Sequence, residues 1–80
     1  MTVYVDHMGH MVADTEEELH AFAERIGLRR SWFQDKPSGA HYDLMGHKHA
    51  LAVEYGAQEI SWREMPEKAK VMVRLEAAHD

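Results

Sequence analysis

The chain predicts a single α+β or small α/β domain, a three- to four-stranded sheet packed against two or three helices. Three observations predict it. Eighty residues hold one core and no more, stretches with the period of a strand alternate with stretches of helical period, and the composition is globular. Apolar residues make up 45% of the chain and charged residues 29%, with two prolines and five glycines, which excludes a disordered or fibrous protein. The domain is expected to occupy residues 1–80.

Thr2 to Asp6 alternates Val3 and Val5 with Thr2, Tyr4 and Asp6, the pattern of a half-buried strand. His10 to Ala13 continues it or pairs with it after a turn at Met8-Gly9. Asp14 and Thr15 then precede three glutamates, and Thr15 and Glu18 have the spacing of a capping box. Leu19, Phe22, Ala23 and Ile26 recur at helical spacing, so a helix follows, closed by Gly27. Leu28 to Gln34 reads as a second strand or extended segment, and Asp35-Lys36-Pro37-Ser38-Gly39 as a loop. Asp43 is placed to cap a second helix over Leu44–Tyr55, with Leu44, Lys48, Leu51 and Tyr55 inward and Gly56 at its end. Ala57 to Ile60 is a short strand. Ser61 and Glu64, with Pro66, open a last helix reaching about Ala78, its apolar face Met65, Ala69, Met72 and Val73.

No cysteine is present, so a disulfide framework and thiolate chemistry are excluded and a reducing cytoplasm is the expected compartment. The first residues lack a signal-peptide pattern, and no apolar run nears the roughly 20 residues of a membrane span. The net charge of −5 is uneven. Residues 1–28 hold six acids and one base, whereas residues 29–48 carry a balance of +2 from Arg29, Arg30, Lys36 and Lys48. An acidic chain argues against nonspecific binding to nucleic acid, and no direct contact with it is expected. A basic protein partner is easier to accommodate.

Seven histidines in 80 residues stand out, among them His7, His10, His20, His41, His47, His49 and His79. Imidazoles and carboxylates converging from separate elements hold zinc or another divalent metal without thiolates. Asp6, His10, His41 and Asp43 fall at predicted element ends and form the candidate ligand set, although no HExxH-type spacing accompanies them. His47 and His49 would point about 200° apart on a helix and cannot share one ion there. Arg29, Arg30, Trp32 and Lys48 form a second candidate set, a cationic and aromatic platform for a phosphate or nucleotide. Lys48, on a core-facing helix position, must otherwise snorkel or pair with a buried carboxylate. Asp14, Glu16, Glu17, Glu18 and Glu24 form a third. They complement the first helix's dipole, and presented in a row they would imitate phosphates toward a basic channel. Ser31, Ser38 and Ser61 have no nucleophile context, and no P-loop or GxSxG motif occurs.

Several stretches taken together resemble a domain family of unknown function found in bacteriophages and bacteria. They are Thr2 to Asp6, His10 to Thr15, Glu18 to Ala21, Ile26-Gly27, Trp32 to Gln34, His41 to Asp43, Lys48 and Gly56-Ala57, a likeness over about residues 2–64. That family has a longer segment between Asp6 and His10 and usually lacks histidine at positions 47 and 49. The shared polar set is therefore Asp6, His10, His20, His41, Asp43 and Lys48. A short, acidic chain of this kind is also similar to small anti-defence inhibitors, including anti-CRISPR proteins directed at type I complexes. The resemblance implies a phage-encoded inhibitor in the host cytoplasm that blocks DNA binding or assembly of a nucleic-acid-handling complex by direct contact, with no cofactor and no turnover. Its contact surface would be Asp14, Glu16, Glu17, Glu18 and Glu24. The alternative expectation is a small metal-dependent hydrolase or nucleotide-binding protein that uses the Asp and His set.

Overall fold

The computed structural model describes residues 2–36 and 39–78, with side chains of the final helix described as far as Val73. Pro37 and Ser38 of the expected loop, and His79, lie outside the described residues. Strand β1 (Val3–Val5) pairs antiparallel with strand β2 (His10–Ala13), Val3 opposite Ala13 and Val5 opposite Met11. Asp6 shapes the turn between them. Its Oδ1 accepts the backbone N–H of Met8 at 3.0 Å and of His10 at 2.9 Å. Gly9 completes the turn with φ +89°, and a Cβ there would stand 2.9 Å from the Leu44 carbonyl oxygen. That close approach lets the Gly9 carbonyl accept the Leu44 N–H at 2.6 Å.

Helix α1 (Glu16–Arg25) starts as its sequence predicts, with the Thr15 hydroxyl accepting the Glu18 N–H at 3.1 Å. It ends at Gly27, φ +82°, where the Leu28 N–H reaches back to the Ala23 carbonyl at 2.8 Å. Leu19, Phe22, Ala23 and Ile26 are buried, the face the spacing predicted.

The middle of the chain departs from expectation. Leu28 to Gln34 is not one strand: the Trp32 N–H closes a turn on the Arg29 carbonyl, a 3-10 turn spans Arg30–Trp32, and only Phe33–Gln34 forms strand β3. Strand β4 (His41–Asp43) ends on the residue read as a helix cap and begins on residues for which the sequence predicted no element. Asp43 therefore caps nothing. The Leu44 N–H bonds the Gly9 carbonyl and Gly46 turns the backbone through φ +59°, outside the right-handed helical region, so α2 covers only Lys48–Glu54. Its N-cap is His47, which makes no side-chain capping bond, and Tyr55 is exposed rather than inward. Strand β5 (Gln58–Glu59) pairs parallel with β1, joined further by the Ile60 N–H to the Val5 carbonyl. Ser61 and Glu64 close a turn just before helix α3 (Met65–Ala78) instead of boxing its first turn. Met65, Ala69 and Met72 are buried and Val73 half-buried.

The sheet is mixed, in the order β3-β4-β2-β1-β5, and its five strands exceed the three or four expected. The two outer strands are two residues long each, too short to show alternation in the sequence. Registers divide the sheet into two faces. Val3, Val5, Met11 and Tyr42 share the α1 side, where His20 of α1 bonds Tyr42. Tyr4, His10, Val12, His41 and Asp43 share the other, where the Lys68 ammonium of α3 lies 4.6 Å from the Tyr4 ring centre.

Candidate metal centre

On the α3 side, β2 and β4 bring His10 opposite Asp43, and alternation along β4 puts His41 on the same face as Asp43. One donor atom from each of His10, His41 and Asp43 lies within 4.8 Å of the other two. The two imidazoles meet edge to face with centroids 5.2 Å apart.

Each ring is held from behind. Asp6, with no exposed surface, accepts from His10 Nδ1 at 3.0 Å through Oδ2. The Gly39 carbonyl, which can only accept, fixes the proton of His41 on Nδ1 at 2.8 Å. A second ring nitrogen, Nε2, is thereby left with its lone pair on each neutral histidine. Carboxylate or carbonyl support behind an imidazole is the arrangement that orients metal-binding histidines. At His41 the consequence is sharp. Nε2 stands 3.1 Å from Asp43 Oδ1, a contact that either a proton on Nε2 or a metal ion shared by the two groups makes favourable. Two ligands about 2.0–2.1 Å from a tetrahedral ion are themselves about 3.3 Å apart.

Of the four residues expected as ligands, the structure brings three together and moves the fourth to a supporting position. Asp6 is no ligand, because both its oxygens are committed to the turn and to His10. His47 is exposed ahead of α2, and His49 is half-buried on α2 with its Nε2 unpartnered. Two of the donors, His10 and His41, open on a cavity of about 400 Å3 lined also by Met8, Lys36, Trp62 and Met65, among others, while Asp43 lines a neighbouring cavity.

The platform set Arg29, Arg30, Trp32 and Lys48 is brought together in part. Lys48 Nζ donates to the Ile26 carbonyl at 2.6 Å, capping the C-terminus of α1, and Lys48 lines one cavity with Trp32. Arg30 lines a different cavity, with Glu16, Glu17 and His20 on the α1 side. Arg29 stays with Trp32, its guanidinium 5.9 Å from the ring centre. Trp32 is exposed and Phe33 half-buried.

The acidic row is also broken up. Asp14 accepts from the Thr2 N–H at 2.9 Å and the Tyr4 hydroxyl at 2.8 Å, and Glu16 bonds His20 at 3.2 Å. Glu18 is half-buried, with Oε1 shielded and lacking a partner, and burial raises its carboxyl above the ordinary value, helped by the nearby Asp14 charge. Glu17 and Glu24 are exposed.

Behind the centre, on the α1 side, His20 links Glu16 to the Tyr42 hydroxyl at 2.8 Å and packs edge-on to Phe33 at 4.6 Å. Burial pushes the Tyr42 hydroxyl above its usual range. This network braces the one β4 residue between His41 and Asp43. Its sequence signal was the Glu16–His20 spacing of four, one helical turn on one face.

Fold and site thus define a small single-domain α+β protein with a His, His, Asp group on the α3 side of a mixed sheet. The chain belongs to the family DUF4031, described as a protein of unknown function, which matches residues 2–72. No curated protein and no solved structure matches it. Among the described residues no helix is long and apolar enough to cross a membrane.

Proposed function

We propose that this protein is a metal-dependent phosphoester hydrolase, with His10, His41 and Asp43 holding a divalent ion and Asp6 and the Gly39 carbonyl orienting the two rings. The observation that carries the reading is the convergence of one donor atom each from His10, His41 and Asp43 within 4.8 Å, with both rings held from behind by Asp6 and the Gly39 carbonyl. Three protein ligands leave a further coordination position for water, whose pKa a zinc-type ion lowers to about 7. The cavity wall adds Lys36, a cation suited to a phosphate oxygen. In the reaction the water oxygen bonds phosphorus while the bond from phosphorus to the ester oxygen breaks. The departing alkoxide takes up the proton that the water released.

The inhibitor reading, in which a phage protein blocks a type I CRISPR effector through its acids, finds less support. Asp14, Glu16 and Glu18 serve intramolecular contacts or are withdrawn from the surface, which leaves Glu17 and Glu24 to form the row.

The test is calorimetric titration of the untagged protein, stripped with chelator, with zinc and manganese, followed by assay on bis(p-nitrophenyl) phosphate. One equivalent binding at micromolar Kd or tighter, lost in His41→Ala and Asp43→Asn, is the expected result, with turnover following the ion. Saturation of neither metal, or uptake unchanged in both variants, overturns the proposal and leaves His41 and Asp43 as an imidazolium–carboxylate pair.

A further inference from the structure

The candidate centre has an aromatic and a methionine on each side of it. Met8 (63% exposed) and Trp62 (50%) line the cavity that holds His10 and His41. Met45 (76%) and Trp32 (48%) line a second cavity, of about 490 Å3, that holds Asp43. These four are all but one of the exposed large apolar side chains among the described residues, the fifth being Tyr55. Core packing explains none of them.

Both tryptophans carry an arginine. Arg29 lies 5.9 Å from the Trp32 ring centre and Arg63 lies 5.4 Å from that of Trp62. With Lys36 and His47 on the cavity walls, the surface flanking the centre is basic and aromatic. The acids Glu16, Glu17 and Glu24 line a cavity with Tyr42, whose side chain projects from the opposite face of β4 to His41 and Asp43. A net charge of −5 therefore does not describe this face. Paired aromatic and guanidinium groups fit unstacked bases joined by phosphates, since every base offers a ring face and every linkage a charge. A mononucleotide would fill one side only, and a duplex hides its base faces.

We infer that single-stranded nucleic acid is the substrate class, lying across the centre with one base against Trp32, another against Trp62, and the phosphodiester between them at the His10, His41 and Asp43 group. This rests on the hydrolase reading above, but binding can be tested without it. Trp32 and Trp62 are the chain's two tryptophans, so intrinsic fluorescence reports on the surface directly.

The experiment titrates the full chain in EDTA with oligo(dT) and oligo(U) of eight nucleotides, with dTMP, and with an eight-base-pair duplex, at low and moderate salt. The expected result is quenching with micromolar Kd for an oligonucleotide, at least tenfold weaker binding of dTMP and duplex, and affinity that falls with salt. The stronger of the DNA and RNA arms identifies the sugar. Trp32→Ala and Trp62→Ala each weaken binding about tenfold, while Arg29→Ala and Arg63→Ala each flatten the salt dependence. Trp32→Phe, which keeps a ring, restores most of the loss and separates stacking from misfolding. Absence of binding below 1 mM, equal binding of dTMP, or indifference to both tryptophan replacements overturns the inference and assigns the surface to a protein partner. Trp62→Ala separates the two readings: weakened oligonucleotide binding with metal uptake retained is expected. Metal uptake by the wild type without oligonucleotide binding sinks only the substrate class.

Discussion

Asp6 shows how much one carboxylate does at the residue scale. Oδ1 closes the β1–β2 turn through two backbone N–H groups, and Oδ2 selects which nitrogen of His10 carries the proton. The two tasks come apart under substitution. In Asp6→Asn the amide oxygen keeps the turn, but the NH2 group now faces His10 Nδ1 and forces the proton to Nε2. The expected outcome is a folded protein whose metal affinity falls about 10- to 100-fold by calorimetry. Asp6→Ala loses the turn as well and costs about 1–3 kcal/mol in urea denaturation. The sequence made Asp6 a candidate because it falls at the end of the predicted first strand. It could not show that the carboxylate sits behind the ring instead of beside it, since spacing carries no direction once a tight turn intervenes.

At the scale of elements, legibility followed length and capping. Helix α1 was readable from Thr15, Glu18, its apolar spacing and Gly27, because each of those signals is local. Strand β4 was not. His41-Tyr42-Asp43 has one good strand former, and it is a strand because β2 and β3 pair with it and Gly9 takes the Leu44 N–H. The helix expected from Asp43 onward failed for the same reason, and the site was legible as residue types but not as a position. Glu18 in α1 offers a check on the local reading. Its raised carboxyl pKa means that ionisation costs more in the folded chain than in the unfolded one. Stability from this group is thus full below about pH 4.5, the ordinary value, and is lost as pH rises through the raised native value. Glu18→Gln is expected to melt about 1–3 °C above the wild type at pH 7, with the gap closing by pH 4 in thermal scans.

For the whole molecule, the core is small enough that single residues matter. Met72, with no exposed surface, comes from the last helix, and α3 packs mainly against β2, the strand that carries His10. Met72→Ala is expected to cost about 2–4 kcal/mol, read as a lower urea midpoint. That is a large share of the roughly 4–12 kcal/mol such a chain has in total. The molecule also groups part of its charge, with Glu16, Glu17 and Glu24 lining one cavity and Arg29 and Arg63 beside the two tryptophans, so its net charge alone is a poor guide to what it attracts.

The strands at the two rims of the sheet, β3 and β5, are two residues long each, while the longest strand, β2, is interior. A sheet that tapers this way presents an arriving chain with almost no ladder to extend. Crowding in a cell therefore gives copies of this domain little opportunity to zip together edge to edge, even though five of the nine secondary-structure elements among the described residues are strands.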